Sequence, residues 1–258
     1  MVVTGVPGAG KSEFVDELAI QLNTLHKWRW GYFSPENYPV YLHASKLIAK
    51  LSGKWIKNMS RLDLDEYALY VNNNIFWITP KDEEYTLDII LSKARFLVRK
   101  YGIKGLVIDP WNTIEFHSQG LTETLYISKA LGQLAHFARQ NDILLVLVAH
   151  PRKLEKIRGG EYEIPNLYSI SGSAHFFNKA DYGLTVYRTC KDEVSIFVQK
   201  VKFRTLGKKG KVHMLNNQKS GRYQECKEVK LDGKEVWEID KWENKSYIIF
   251  NKEEDGKD

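Results

Sequence analysis

The chain has 258 residues, of which 43% are hydrophobic and 27% charged, a composition typical of a soluble globular protein with one large or two small domains. No apolar run reaches the length of about 18 residues that a transmembrane helix needs, so the sequence predicts no membrane span. The formal net charge is +6 although the residues from Gln224 onward are net acidic, and a basic body of this kind is compatible with a polyanionic partner. Cys190 and Cys226 match no metal-ligand spacing, which favours free thiols in a reducing cytoplasm, of a bacterial or phage-infected cell.

The first predicted elements are a short strand, a phosphate-binding loop and a helix. The pattern G-x-x-x-x-G-K-[ST] is matched by Gly5, Val6, Pro7, Gly8, Ala9, Gly10, Lys11 and Ser12. Backbone N–H groups of such a loop surround the phosphates of a nucleotide, and the N-terminus of the following helix adds its dipole. Lys11 is expected to reach the β- and γ-phosphates of a nucleoside triphosphate, and Ser12 to ligate Mg²⁺. Since the chain begins at this loop, we expect no signal or transit peptide in it.

Strand-like and helix-like segments then alternate along the chain. The sequence predicts strands over 28–34, 75–79, 105–109 and 143–150, and helices over 41–51, 62–71, 86–100 and 122–140. Unbroken apolar strands in such an alternation favour an α/β fold with a central, mostly parallel sheet covered by helices on both faces. After residue 181 the pattern changes to short strands joined by turn residues, which predicts antiparallel hairpins at the sheet edge, with a further hairpin over 229–239.

Three polar residues end predicted strands, where ligands of open α/β sheets bind. Asp109 closes an apolar strand and is the expected Mg²⁺-associated carboxylate, with a helix-capping role as the alternative. Glu36 could orient or deprotonate a water, or be an exposed loop residue. His150 could donate a hydrogen bond to a γ-phosphate, although a single histidine is more often structural.

Two basic segments follow these strand ends. The first holds Arg152, Lys153, Lys156 and Arg158 in a long polar loop, which could contact a phosphate backbone or be merely solvated. The second runs from 199 to 211 without an acidic residue, and strand alternation would place Lys200, Lys202 and Arg204 on one face. Such cations can simply protect a solvated edge strand from aggregation. Alternatively, Lys202 and Arg204 donate to a triphosphate bound by a neighbouring subunit.

Six stretches occur along the chain in this order: VVTGVPGAGKSEF, YFSPENYP, GLVIDPWNTIE, LLVLVAHPRKL, YSISGSAHFFNKADYGLTVYR and VKFRTLGKKGKV. Together they resemble the RecA-like motor domain of DnaB-type hexameric replicative helicases, especially the Twinkle-like and phage primase-helicase branch. The resemblance covers about residues 1–223 and leaves 224–258 as a C-terminal hairpin extension with a polar tail. It implies that Glu36 is the general base, Asp109 the Walker B acid, His150 the γ-phosphate sensor and Arg204 an arginine finger acting in trans beside Lys202.

The same resemblance implies a DNA-binding loop after His150 and a second one around Ser171, Gly172 and Ser173. The implied activity is ATP-driven translocation on single-stranded DNA by a homo-oligomer, a hexameric ring in the family. Full-length members carry a linker helix and often a primase-related domain ahead of the phosphate loop, so a primase in cis or in trans is an expected partner. We therefore expect this chain to be an excised motor module, the product of a split gene or a sequence with a misplaced start.

Other functions remain open at this point. A RecA/RadA-like or KaiC-like ATPase would share the fold and the phosphate loop. A small-molecule P-loop kinase would need an acceptor site and usually a lid with arginines over the phosphates, and the sequence shows no clear lid. A non-catalytic loader or clamp would not need Glu36.

Overall fold

The fold was analysed in a computed structural model of the full chain. The structure describes residues 1–79, 85–115, 120, 122–152, 162–170, 173–188, 192–231 and 234–238, with the backbone alone at 173 and after 226. Among the described residues, no helix is long and apolar enough to cross a bilayer.

A nine-stranded sheet in the order β3-β2-β4-β5-β1-β6-β7-β8-β9 forms the centre of the molecule. Its strands are β1 (Val2–Thr4), β2 (Trp30–Phe33), β3 (Ile75–Trp77), β4 (Gly105–Ile108), β5 (Leu144–Val148), β6 (Tyr182–Arg188), β7 (Glu193–Val201), β8 (Gly210–Asn216) and β9 (Tyr223–Glu225). The first six run parallel, and β7, β8 and β9 add antiparallel hairpins at one edge. The predicted α/β architecture, with a mostly parallel sheet and antiparallel edge hairpins, is confirmed.

The described residues form six α-helices around the sheet. They are α1 (Lys11–His26), α2 (Val40–Ser52), α3 (Arg61–Asn74), α4 (Leu87–Tyr101), α5 (Glu123–Asn141) and the short α6 (Ser173–Lys179). The hydroxyl oxygens of Ser60, Thr86 and Thr122 cap the N-termini of α3, α4 and α5 by accepting a backbone N–H from the first turn. The helices α2 to α5 begin and end within a few residues of the bounds predicted from the sequence.

The apolar residues form two clusters, one on each face of the sheet. One cluster packs α4, α5 and α6 against the sheet and includes the buried Phe33, Ile108 and Phe176. The other packs α1, α2 and α3 against the opposite face and includes the buried Trp30 and Leu47. The central strands are covered on both sides, which explains why their sequences are apolar without alternation.

The strands on the C-terminal side of the chain differ from the predicted pattern in one respect and match it in another. β7 ends at Val201, and Arg204 begins a 3₁₀ turn, so strand alternation cannot place Arg204 on one face with Lys200 and Lys202. That prediction was wrong, because the strand leaves the sheet before it reaches Arg204. The last hairpin is confirmed by the antiparallel pair β10 (Lys227–Leu231) and β11 (Lys234–Glu238), whose pivot at 232–233 lies outside the described residues.

Candidate nucleotide-binding site

Four neighbouring parallel strands end at the same edge of the sheet, which we call the nucleotide edge. The phosphate loop follows β1, Glu36 follows β2, Asp109 follows β4 and His150 lies two residues beyond β5. These strands are adjacent in the order β2-β4-β5-β1, so the topology brings together residues that are far apart in the sequence. This is the location at which open α/β sheets bind ligands.

The phosphate loop has the backbone conformation that the glycine pattern requires. Gly5 lies against β6, where an added Cβ would be 2.2 Å from the Val186 carbonyl oxygen, so no larger residue fits. Gly8 has a φ of 75°, in the left-handed region that favours glycine. Lys11 is 6% exposed, and its ammonium donates hydrogen bonds to the carbonyl oxygens of Gly5 (3.0 Å) and Val6 (3.1 Å). The loop thus holds its lysine within the concave backbone that would surround a phosphate.

Burial lowers the pKa of Lys11, and Asp109 and Glu36 act in the opposite direction. Asp109 is 4% exposed and accepts a hydrogen bond from the Ser12 side chain. Burial raises the pKa of Asp109 to about 6, against the effect of the Ser12 hydrogen bond. A buried carboxylate that is costly to ionise, beside a hydroxyl oxygen, is a suitable partner for a divalent cation, since Mg²⁺ prefers oxygen ligands.

The Glu36 carboxylate and the His150 imidazole face each other across the mouth of the site. Their Oε1 and Nε2 atoms are 3.8 Å apart, and the Glu36 side chain is 57% exposed. The His150 backbone N–H donates to the Asn112 side-chain oxygen (3.1 Å), which fixes the end of this strand next to the Asp109 loop. Burial and the nearby Lys11 lower the pKa of His150, so the imidazole is neutral at pH 7. A neutral imidazole can donate one hydrogen bond, as a phosphate-sensing role would require.

Lys202 and Arg204 lie at the opposite edge of the sheet. β6 runs parallel to β1, whereas β7 is antiparallel to β6 and pairs Val201 with Tyr182, the first residue of β6. β6 has seven residues, which span about 20 Å at roughly 3.3 Å per residue. The Lys202 ammonium forms an ion pair with Asp181 of its own chain (2.8 Å). The structure therefore does not bring these two residues to the phosphate loop of the same chain.

The sequence and the fold of the chain are similar to those of known proteins. The chain is 36% identical over 240 residues to the Twinkle homolog protein, chloroplastic/mitochondrial, of Arabidopsis thaliana, and covers 33% of that protein, while 86% of the chain is matched. The predicted resemblance to Twinkle-like motor domains is confirmed. The chain spans about a third of the length of this relative. No protein-family model matches this chain.

Two solved structures share the RecA-like fold of the chain. The first, described as an ATPase domain, superposes with a TM-score of 0.69 at 18% identity, over 86% of this chain and 82% of that one. The second, a DnaB-like replicative helicase described together with its interactions with primase, superposes with a TM-score of 0.71 at 20% identity, over 86% of this chain and 57% of that one. At these identities the structural likeness establishes the fold of the chain and no more.

Two further residues beside the phosphate loop were missed by the sequence analysis. An added Cβ on Gly10 would lie 2.9 Å from the Tyr223 hydroxyl and 3.1 Å from the Arg188 guanidinium, so both side chains border the RecA-like phosphate loop. The Tyr223 hydroxyl also donates to the Gly10 carbonyl oxygen (3.4 Å). The only sequence signal for Arg188 was its place at the end of a predicted strand, and Tyr223 gave none.

The predicted DNA-binding loops are described at their ends only. Lys153, Lys156, Arg158, Ser171 and Gly172 lie outside the described residues, and Ser173 is the first residue of α6. Arg152 is exposed, and its backbone N–H donates to the Ser169 carbonyl oxygen (2.8 Å). An antiparallel bridge joins Pro151 to Ile170. The start of the first loop and the residue before the second are thus side by side, close to His150 at the nucleotide edge.

Proposed function

We propose that the chain is an ATP-hydrolysing motor domain that moves along single-stranded DNA and separates duplex DNA. The observation that carries this proposal is the division of its functional residues between two edges of one sheet. The phosphate loop, Asp109, Glu36 and His150 lie at the nucleotide edge, and Arg204 follows a strand that ends at the opposite edge. The similarity to the Twinkle homologue and to DnaB-like helicases supports the same conclusion.

In this proposal each residue at the nucleotide edge has one task. The loop from Gly5 to Ser12 holds the phosphates of ATP, and Lys11 turns from its own loop carbonyls to the phosphate oxygens. Ser12 and Asp109 would hold Mg²⁺, which supplies charge neutralisation at the phosphates when bound. Glu36 accepts a proton from the attacking water, and His150 donates a hydrogen bond that reports whether the γ-phosphate is present.

Arg204 completes the site of a neighbouring copy of the chain. Because it lies at the far edge of the sheet, it cannot reach the nucleotide of its own chain, and a head-to-tail assembly would bring it to the next one. Lys202 pairs with Asp181 in cis, so its predicted role as the partner cation in trans requires this ion pair to open. A hexameric ring is the assembly that the family resemblance suggests.

Single-stranded DNA is proposed to bind through the two predicted loops, the basic one after Pro151 and the one around Ser171, Gly172 and Ser173, which follow the bridged residues Pro151 and Ile170. Contacts of lysine and arginine with phosphates give binding that is nearly independent of base sequence. A primase domain, in cis or in trans, is proposed as a partner because the DnaB-like relative is described with its primase. The cytoplasmic location stays a prediction.

ATP hydrolysis measured with and without single-stranded DNA tests the proposal. We expect strong stimulation of hydrolysis by DNA. A RecA-like ATPase without unwinding activity would be stimulated but would not separate a forked duplex. A small-molecule kinase would not respond to DNA.

The in-trans role of Arg204 is tested by mixing Arg204→Ala with Lys11→Ala at high protein concentration. Each variant alone should be inactive, and the mixture should regain activity, because one type of interface then has an intact Lys11 and an intact Arg204. A mixture as inactive as its components, beside active wild-type protein, would refute the role of Arg204.

A further inference from the structure

The facing sides of α1 and α2 form a cluster of charged side chains, which we call the α1–α2 charge cluster. Its members are Glu13, Asp16 and Glu17 from α1, and His43, Lys46 and Lys50 from α2. Asp16 and His43 are each 1% exposed and Lys50 is fully buried. Buried charges persist only when they are paired, so these contacts fix α2 against α1. The first turn of α1 carries Lys11 and Ser12, and the cluster therefore borders the nucleotide site.

The two hydrogen-bond partners of His43 assign a donor or acceptor role to each ring nitrogen. The Trp77 indole N–H, which can only donate, lies 3.0 Å from His43 Nδ1. Nδ1 must therefore accept, and Nε2 carries the hydrogen that is donated to Asp16 Oδ1 at 3.0 Å. Burial acts against ionisation of Asp16, but His43, Lys46 and Lys50 together hold the pKa of this carboxyl below its ordinary value. Asp16 thus supplies a fixed negative charge one helical turn after Ser12.

Lys46 joins this cluster to the turn that carries Glu36. Its ammonium lies 2.5 Å from Glu13 Oε1 and 4.0 Å from Asp16 Oδ2. The same ammonium donates to the side-chain oxygen of Asn37 at 3.3 Å, the residue next to Glu36. Burial works against the Lys46 charge, but Asp16 and Glu13 outweigh it and raise the pKa of this lysine, so it is charged at pH 7.

Asn37 in turn holds its own 3₁₀ turn together. Its side-chain amide donates to the Ser34 hydroxyl (2.8 Å), and its backbone N–H donates to the Ser34 carbonyl oxygen (3.1 Å). Glu36 is half-exposed, and its carboxylate lies 3.8 Å from the His150 imidazole. A carboxylate held so loosely by its own contacts depends on the turn for its position relative to the phosphate loop.

We infer that Lys46 is a positioning residue for ATP hydrolysis, acting through Asn37 to hold Glu36 at a fixed distance from the first turn of α1. The inference rests on the proposed function, because it assumes that Glu36 is the general base. A misplacement of about 1 Å in a catalytic group can lower a rate by about 100-fold while leaving binding nearly unchanged. Loss of Lys46 should therefore affect turnover far more than nucleotide affinity.

The test compares single-turnover hydrolysis with nucleotide affinity in matched variants. Lys46→Met removes the charge and the hydrogen bond to Asn37, and should lower the hydrolysis rate by about 10- to 100-fold. Its affinity for a non-hydrolysable ATP analogue should stay within about threefold of wild type, since the phosphate loop is intact. Lys46→Arg should restore most of the rate, because it retains the positive charge. Lys54→Met is the matched control, since Lys54 is 55% exposed and pairs with Asp63 instead.

A second variant guards against simple loss of the fold. Asn37→Ala breaks the link from the other end without leaving a buried charge unpaired, and should show the same split between rate and affinity. In a Glu36→Gln background, Lys46→Met should lower the residual rate no further, because a positioning residue has nothing left to position. A rate and affinity that fall together in both variants, or an additional loss in the Glu36→Gln background, would show a structural role and overturn the inference.

The outcome also separates this inference from the proposed function. If Lys46→Met and Asn37→Ala hydrolyse ATP at the wild-type rate while Glu36→Gln is inactive, the positioning role is refuted and Glu36 remains the base. If Glu36→Gln hydrolyses ATP at the wild-type rate, the assignment of Glu36 as the base is refuted, and the positioning role of Lys46 is refuted with it.

Discussion

Replacing Asp109 by asparagine should make the nucleotide-free protein more stable, by an amount that depends on pH. Asp109 is 4% exposed at the end of β4, where burial and the nearby Asp16 and Glu36 carboxylates disfavour its ionised form. Asparagine has nearly the same shape and carries no charge, and its side-chain oxygen can still accept the hydrogen bond from Ser12. The substitution should therefore remove an electrostatic penalty and leave the packing unchanged.

The size of the effect follows from the pKa of Asp109, which is raised from an ordinary value of 3.8 to about 6. Each pKa unit corresponds to about 1.4 kcal/mol, so the ionised side chain costs the folded state about 3 kcal/mol. The folded-state pKa is the higher one, so this penalty is absent below pH 3.8 and complete above about pH 6. Asp109→Asn should thus gain about 3 kcal/mol at pH 7.5, a rise in Tm of roughly 6–12 °C, and progressively less towards pH 4.

Urea unfolding of both proteins at pH 7.5 and pH 5, in EDTA and without nucleotide, measures this difference. The variant should lose Mg²⁺-dependent hydrolysis, as expected when a residue is retained for function at the expense of stability. Asp181→Asn is a control of opposite sign. Burial raises the pKa of Asp181, but Lys202 and Arg139 outweigh this effect and lower it, so its loss should destabilise the protein at pH 7.5. An Asp109→Asn gain that is equal at both pH values, or a loss at pH 7.5, would refute the electrostatic explanation.

Three further predictions concern the buried network, the phosphate loop and the DNA surface. Trp77→Phe should lower the free energy of unfolding by about 1–3 kcal/mol, because His43 Nδ1 loses its buried donor, and thermal denaturation checks this. Gly5→Ala should weaken binding of a fluorescent ATP analogue at least about tenfold, since its Cβ would meet backbone at 2.2 Å. Gly8→Ala has open space around the added Cβ and should cost only about 1 kcal/mol of stability. An equal loss of analogue binding in the two variants would contradict the steric argument. Arg152→Ala should reduce the slope of log K for single-stranded DNA against log salt by about 0.7, and an unchanged slope would remove this residue from the DNA surface.

Much of the nucleotide edge could be predicted from the sequence because its signals are local. A glycine-rich loop between an apolar strand and a helix is recognisable from a few consecutive residues, and so is a carboxylate that closes an apolar strand, as Asp109 does. Apolar strands that alternate with helices predict a parallel sheet, and parallel strands bring their carboxyl ends to one edge. The neighbourhood of Lys11, Asp109, Glu36 and His150 follows from these rules.

Only the tertiary structure could place Arg204. The preceding strand, β7, ends at the edge opposite the nucleotide edge because it pairs antiparallel with β6, and this pairing cannot be predicted from the strand's own sequence. Tyr223 reaches the phosphate loop from 213 residues away, a distance that no local pattern encodes. In the sequence alone, Asp16 and Lys46 look like charged residues on exposed helix faces. They face each other in the α1–α2 charge cluster, with Asp16 buried, only because α2 packs on α1. Sequence periodicity determines which elements form and which face is apolar. The partners of a charged side chain are decided by which elements meet, and this depends on the packing of the whole domain.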